Sequence, residues 1–414
     1  MIWNKDGFLV PILDNSFNEN AIKLCPFNPN PDDDVKDEDI LAHQIFPKAK
    51  QNDLKIGRFE NTYVGYANQY RKTSSSGGIA TYIFEQLLEK KIVDHLFIVK
   101  EINGTYQYQW FNSVNKIKQI SKTRYIPVTL EKLFKEIDDK DGKVAVSGVA
   151  CFVKAIRLKQ HYNPQYKEKI PFIVGIICGG LKSKYYTDYL VQNSGVYEEY
   201  SNQEYRVKKA DSVALDYKFS VLDKQKKLHS IDMKELGDMW GTGLFKANAC
   251  DFCDDVLTEL ADISLGDAWI SPYSQSGLGN SVIITRSKLA DSLIINGIEN
   301  GNLKVVTLDK NNVILSQSAS FKHRQKAIKF RLNILKESSL KIKKRERLYQ
   351  GIPLEFSIVQ RIRLKLRKSS VEKWNGNLKE YIVLIDKEKK RLRIVTKWYH
   401  RIQYLKKRFG IKTI

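Results

Sequence analysis

The sequence predicts an α/β protein: a mainly parallel or mixed sheet flanked by helices, followed by a basic, largely helical C-terminal extension. Three observations lead there. Runs with strand and helix periodicity alternate along the first three-quarters of the chain. The 414 residues are 42% hydrophobic and 11% aromatic, enough to bury a sizeable core. The charge is uneven: residues 321 to 414 hold 29 basic and 7 acidic residues, whereas residues 1 to 320 hold 40 of each. A uniformly basic nucleic-acid-coating protein is excluded, because the whole net charge of +22 belongs to the last segment.

In chain order, residues 1 to 50 read as a loop-rich preamble, with the turn-forming Asn28-Pro29-Asn30-Pro31-Asp32-Asp33-Asp34 inside it. Ile79, Tyr82, Ile83, Leu87 and Leu88 then recur at helical spacing after Ser76-Gly77-Gly78, and His95-Leu96-Phe97-Ile98-Val99 follows as a strand. Leu130 to Ile137 suits a helix, Lys143 to Ser147 a buried strand, Phe152 to Gln160 a helix, and Ile170 to Ile177 a second buried strand. Such repeated units build sheets that bind ligands at the carboxyl ends of their strands. Residues 185 to 250 are mixed and polar, and Asp262 to Leu265 and Ser281 to Thr285 read as further strands.

The five cysteines are an odd number in a chain whose first residues show no charged-then-apolar leader pattern, so thiols, free or metal-bound, are expected rather than a disulfide framework. The expected compartment is the cytoplasm. Cys151 and Cys178 each follow a buried strand and are expected to open a helix, where amide donors and the helix dipole lower a thiol's pKa. Cys250-Asp251-Phe252-Cys253 adds a Cys-x-x-Cys, whose two sulfurs reach one metal centre from a single turn. Four thiolates suit either zinc or an iron-sulfur cluster, and spacing alone leaves both open. Cys25, before Pro26, lacks the neighbouring cysteines of a cluster-binding run. The loop Thr73-Ser74-Ser75-Ser76-Gly77-Gly78 opens a helix, so its amides and hydroxyls suit a phosphate, with Arg71 and Lys72 supplying positive charge.

Six elements occur in order: Lys72 to Gly78, Thr123-Arg124-Tyr125, Ser147-Gly148-Val149-Ala150-Cys151, Cys178-Gly179-Gly180, Cys250-x-x-Cys253, and Asp262-Ile263-Ser264-Leu265-Gly266-Asp267-Ala268-Trp269. Together they resemble the coenzyme F-420 hydrogenase/dehydrogenase beta-subunit family, whose members are flavin-containing iron-sulfur oxidoreductases. The resemblance implies that Cys151, Cys178, Cys250 and Cys253 ligate one 4Fe-4S cluster. It further implies that Arg71, Lys72, Ser74, Ser75, Ser76, Gly77, Gly78, Arg124, Ser147 and Gly148 surround FAD. Reduced ferredoxin or a similar protein is then the expected electron donor and a small organic molecule the substrate, with polysaccharide metabolism one setting known for bacterial members. Asp6-Gly7-Phe8-Leu9-Val10-Pro11 and Cys25-Pro26 look like the remnant of a ferredoxin-like module, which assigns residues 1–50 to that remnant, 51–320 to the oxidoreductase domain and 321–414 to the extension. Val149-Ala150 and Gly179-Gly180 depart from the Thr-Pro and His-Gly common in the family.

Within the extension, Arg361-Ile362-Arg363-Leu364-Lys365-Leu366-Arg367 alternates with strand period, while Leu392, Val395, Tyr399, Ile402, Leu405 and Phe409 recur at helical spacing among cations. A basic helix with aromatic residues suits an anionic membrane surface. No base-reading motif favours nucleic acid. A zinc-stabilised interaction protein and a nucleic-acid-binding protein acting through the extension are the competing classes.

Overall fold

A computed structural model describes residues 1–12, 19–102, 105–119, 122–335 and 342–410. Its centre is an eight-stranded sheet of β1 (Asn61–Ala67), β2 (His95–Ile102), β3 (Thr105–Phe111), β4 (Val144–Val149), β5 (Phe172–Ile176), β6 (Ile263–Asp267), β7 (Ser281–Thr285) and β8 (Leu303–Thr307). The spatial order is β8-β1-β7-β6-β5-β4-β2-β3. The pairs β2/β4, β4/β5 and β5/β6 are parallel and the rest antiparallel, so the sheet is mixed around a parallel centre. Buried runs such as Phe172-Ile173-Val174 are apolar on both faces because helices cover both.

One face packs under the helices Ile79–Glu89 and Lys288–Glu299, through Ile79, Ile83, Leu87, Leu293 and Ile294. The other packs under Glu38–Ile45, Glu131–Glu136 and Ala150–Tyr162, through Leu41, Leu133, Val153 and Ile156. The helices and strands expected from periodicity between residues 79 and 285 are therefore present. Within the stretch read as mixed, the helix Lys184–Asn193 leads into a small antiparallel sheet of Tyr200–Lys208, Tyr217–Asp223 and Leu228–Asp232.

The strand reading of residues 361–367 is corrected: they lie in a helix, Leu354–Glu372. Phe356, Val359, Ile362 and Leu366 are buried at helical spacing over the longer window, and that burial outweighs a seven-residue alternation. This helix pairs with a second, Leu378–Arg408. The extension is also locked to the body by buried charge. Arg345, fully buried, meets Asp254 at 2.9 Å and Glu259 at 2.8 Å, and reaches Asp39 at 3.1 Å. Burial pushes the Asp254 carboxyl up, yet Arg345 and Lys344 outweigh it and hold the group well below the usual carboxylate range. The sequence-level separation of body and extension thus hides a shared interior.

Candidate functional site

Strand direction decides which loops meet. The parallel strands β4, β5 and β6 end at Val149, Ile176 and Asp267 on one edge of the sheet. β7 is antiparallel to β6 and starts at Ser281 on that edge, and β1, antiparallel to β7, ends there at Ala67. One edge therefore carries, in spatial order, the Arg71–Gly78 loop after β1, Gly279-Asn280 before β7, Asp267 to Trp269 after β6, Cys178 after β5 and Cys151 after β4. With strands ~4.8 Å apart, the loop and the Cys151 turn lie ~19 Å apart along the edge of a flat sheet.

At the loop end, Gly78 takes the left-handed conformation (φ 82°) as the cap of the helix Ile79–Glu89. A Cβ at Gly77 would stand 2.6 Å from the Gly65 carbonyl oxygen, so only glycine lets the loop fold back against β1. Ser74 and Ser75 are buried. Ser75 Oγ accepts from the Thr123 amide at 2.8 Å, which ties the Thr123-Arg124 strap to the loop. Arg124 lies over the Tyr106 ring at 4.5 Å, and its burial lowers the guanidinium pKa. Arg71 stacks over Tyr66 at 3.6 Å and donates to the Gly279 carbonyl at 3.1 Å. Lys72 is exposed and makes no hydrogen bond or ion pair among the described residues.

Two cations come from the small sheet and carry no signal in the sequence. Lys208 donates to the carbonyl oxygens of Arg71 and Ser76, both at 2.6 Å. Burial, followed by the charges of Arg206 and Arg71, pulls its pKa down to about 7. Arg206 pairs with Asp267 at 2.5 Å and sits over the rings of Tyr217 and Trp269 at 5.1 and 5.3 Å. Asp267, whose role the sequence leaves open, is thus the carboxylate that anchors Arg206. Arg206 and Lys208 both feel the Asp267 carboxylate, Arg71 lies near enough to act on Lys208, and among the described residues Ser74 Oγ and Arg206 Nε are buried with no hydrogen-bond partner. Excess positive charge and orphaned donors beside a glycine-rich helix entry suit an anion such as a diphosphate.

At the other end, Cys151 stands in the first turn of the helix Ala150–Tyr162, where Gly148 lets the turn close: a Cβ there would lie 3.1 Å from that of Phe152. The Ser147 carbonyl accepts from the Tyr108 hydroxyl at 2.8 Å. Ser147 and Gly148 therefore flank the thiols rather than the serine loop. Cys178 does not open a helix: the next one starts at Lys184, and an irregular loop intervenes. The expected lowering of thiol pKa is also corrected. Burial, then the neighbouring Cys253, Cys250 and Cys178, pushes Cys151 well up. Burial also raises Cys178, although Arg324 and the Gly180 amide pull against it, and lifts Cys250 to about 12.

These four thiols, from three chain segments, lie close enough to act on one another electrostatically. Amides of Gly180 and Leu181 donate to the sulfurs of Cys178 and Cys250, both at 3.2 Å. Arg324, from the segment read as a basic C-terminal extension, places Nη2 2.7 Å from Cys253 Sγ and Nη1 2.6 Å from the Cys178 carbonyl oxygen. It also donates to the carbonyl oxygens of Cys253 and Asp255. Among the described residues no three His, Cys, Asp or Glu side chains are gathered as tightly as around a single ion. Four thiols with amide and guanidinium donors aimed at sulfur suit a larger, electron-rich group. His161 and His229 meet Asp34 at 3.1 Å and Asp223 at 2.7 Å.

Comparison with known proteins matches this architecture. The family model for the N-terminal part of the coenzyme F420 hydrogenase/dehydrogenase beta subunit covers residues 62–135, and the model for the C terminus of that same beta subunit covers residues 141–311. Among solved structures, a chain of the F420-reducing NiFe hydrogenase complex from Methanosarcina barkeri aligns with a TM-score of 0.52 at 20% identity, over 69% of this chain and 96% of that one. No curated protein sequence matches. The α/β edge therefore belongs to an oxidoreductase. The chain is a member of the coenzyme F420 hydrogenase/dehydrogenase beta-subunit family, with Arg324 beyond the matched residues.

Proposed function

We propose that the protein is an iron-sulfur flavoprotein that takes electrons from a ferredoxin-like donor and reduces a small organic substrate. The observation that carries this reading is the placement of four thiols and an anion cradle on one sheet edge. A flavin exchanges electron pairs as hydride with organic partners and single electrons with an iron-sulfur cluster, so the two convert one kind of electron flow into the other.

In this reading Cys151, Cys178, Cys250 and Cys253 hold a 4Fe-4S cluster. The Ser74–Gly78 loop, Arg71 and Lys208 take the diphosphate of FAD, with Arg124 beside it in the strap and Ser147-Gly148 toward the thiols. Arg206, fixed by Asp267, stands between the two ends, where a cation stabilises negative charge that develops on a reduced ring. The ferredoxin-like donor follows from the family resemblance; the cleft at Cys250 is lined by Lys246, Arg331 and Arg367, which already pair with the Asp251 carboxylate or its carbonyl. Residues 1–50 are taken as the remnant of a ferredoxin-like module. On the resemblance alone, polysaccharide metabolism is the proposed setting and the cytoplasm the proposed compartment.

The test is the visible spectrum of anaerobically purified protein, with iron, sulfide and FAD analysis. Broad absorption near the flavin bands with iron and FAD bound is expected. Loss of iron with retained FAD is expected in the Cys250→Ser variant. A colourless, iron-free protein that reconstitutes with neither group would overturn the reading.

A further inference from the structure

The helix Leu378–Arg408 buries one seam, Leu378, Tyr381, Ile385, Leu392 and Tyr399. Tyr381 packs among the rings of Tyr189, Phe245 and Trp374, and Tyr399 stacks on Phe356 at 5.1 Å. The opposite face of a helix so anchored is normally polar. Here it is not. Val383 is 77% exposed, Ile394 65%, Trp398 49% and Leu405 48%. At 3.6 residues per turn these four positions fall within one stripe roughly 60° wide. Tyr404 and Phe409 extend the exposed apolar surface at the end of the helix.

Cations stand within that stripe, at Lys387 and Arg401, and along both sides of it. The helix holds 11 basic and 3 acidic residues. Lys387, Arg391, Lys397, Arg401 and Arg408 are exposed and take part in no ion pair among the described residues. A second copy of the chain seated here would lay cations against cations. Nucleic acid would use the cations but leave Val383, Ile394 and Leu405 against a phosphate backbone, where apolar side chains gain nothing. The surface that offers negative charge and hydrocarbon together is an anionic lipid bilayer.

We propose that the outward face of Leu378–Arg408 lies in the interface of an anionic membrane, with Val383, Ile394, Trp398 and Leu405 inserted and the interspersed Lys and Arg side chains extended to the headgroups. The attachment is peripheral, since no helix among the described residues is long and apolar enough to cross a membrane. It narrows the lipid-binding surface from the whole basic extension to one helical face, because Arg324, Arg331, Lys344 and Arg345 are buried. It is independent of the redox reading.

Flotation of the full-length protein with phosphatidylcholine vesicles, with and without about one-third phosphatidylserine, tests it. The protein is expected to float only with the anionic vesicles and to be released by high salt. The triple variants Lys387→Glu/Lys397→Glu/Arg401→Glu and Ile394→Ser/Trp398→Ser/Leu405→Ser are each expected to lower the bound fraction at least about ten-fold while melting like the parent. Failure to float, equal binding to neutral vesicles or insensitivity to both variants would overturn the proposal. So would a dimer that dissociates in the serine variant, or duplex DNA that binds the face and displaces vesicles.

Discussion

Two regions of similar basic composition, 321–372 and 378–408, meet opposite environments. The first turns several of its cations inward, Arg324 onto Cys253, Arg331 onto the Asp251 and Arg324 carbonyls and Arg367 onto Asp251, and leaves others such as Lys322, Arg361 and Lys365 exposed. The second turns most of its cations to solvent. Composition does not separate them. What separates them is the counter-charge opposite each: the body presents thiols, carbonyls and carboxylates to the first and an aromatic core to the second. A buried cation is tolerated only where such partners are already in place.

The largest effect should come from breaking the inward set at its most enclosed member. Arg345→Met leaves Asp254 and Glu259 buried without their guanidinium, and is expected to cost about 3–5 kcal/mol of stability. Urea denaturation checks this; a loss below about 1 kcal/mol would mean that the network relaxes or admits water. Next, Arg324→Ala removes a cation beside a proposed cluster ligand, which favours the more oxidised, less negative state. A lower midpoint potential is expected in an EPR-monitored titration, with Arg324→Lys partly restoring it. An unchanged potential would assign Arg324 to packing alone.

The loop end extends the comparison to a half-buried cation facing an anion site. Lys208 has a pKa near 7 without ligand, and anion binding raises it. FAD affinity should therefore be full below that value and fall as pH rises through it, until the pKa of the bound state is passed. Calorimetric titrations of apoprotein across this range should show the fall, and Lys208→Met should weaken binding about ten-fold and flatten the profile. The smallest effect is expected outside: Lys387→Glu alone should alter stability by no more than about 0.5 kcal/mol in the same denaturation assay. A larger loss would show that the outward helix also depends on internal pairing.

Much of the sheet was legible because its signals are local. Apolar runs such as Phe172 to Ile176, and the helical spacing of Ile79 to Leu87, state their own periods. The serine loop and the positions of Cys151 and Cys178 follow from those strands. Arg206 and Lys208 were not legible, since they lie in a polar strand whose value depends on the small sheet folding over the Ser74–Gly78 loop. Arg324 was hidden by its own neighbourhood, where a cation among cations reads as solvated surface. Local periodicity likewise misled at residues 361–367, where burial along a 19-residue helix outweighs a short alternation.

Arg324 lies 71 residues after Cys253, the last of the four clustered thiols. Synthesis proceeds from the N-terminus, so every one of those thiols leaves the ribosome before the arginine that closes over them. For the proposed cluster, the order of the chain leaves an interval in which all four thiols are made and the guanidinium that meets Cys253 is not.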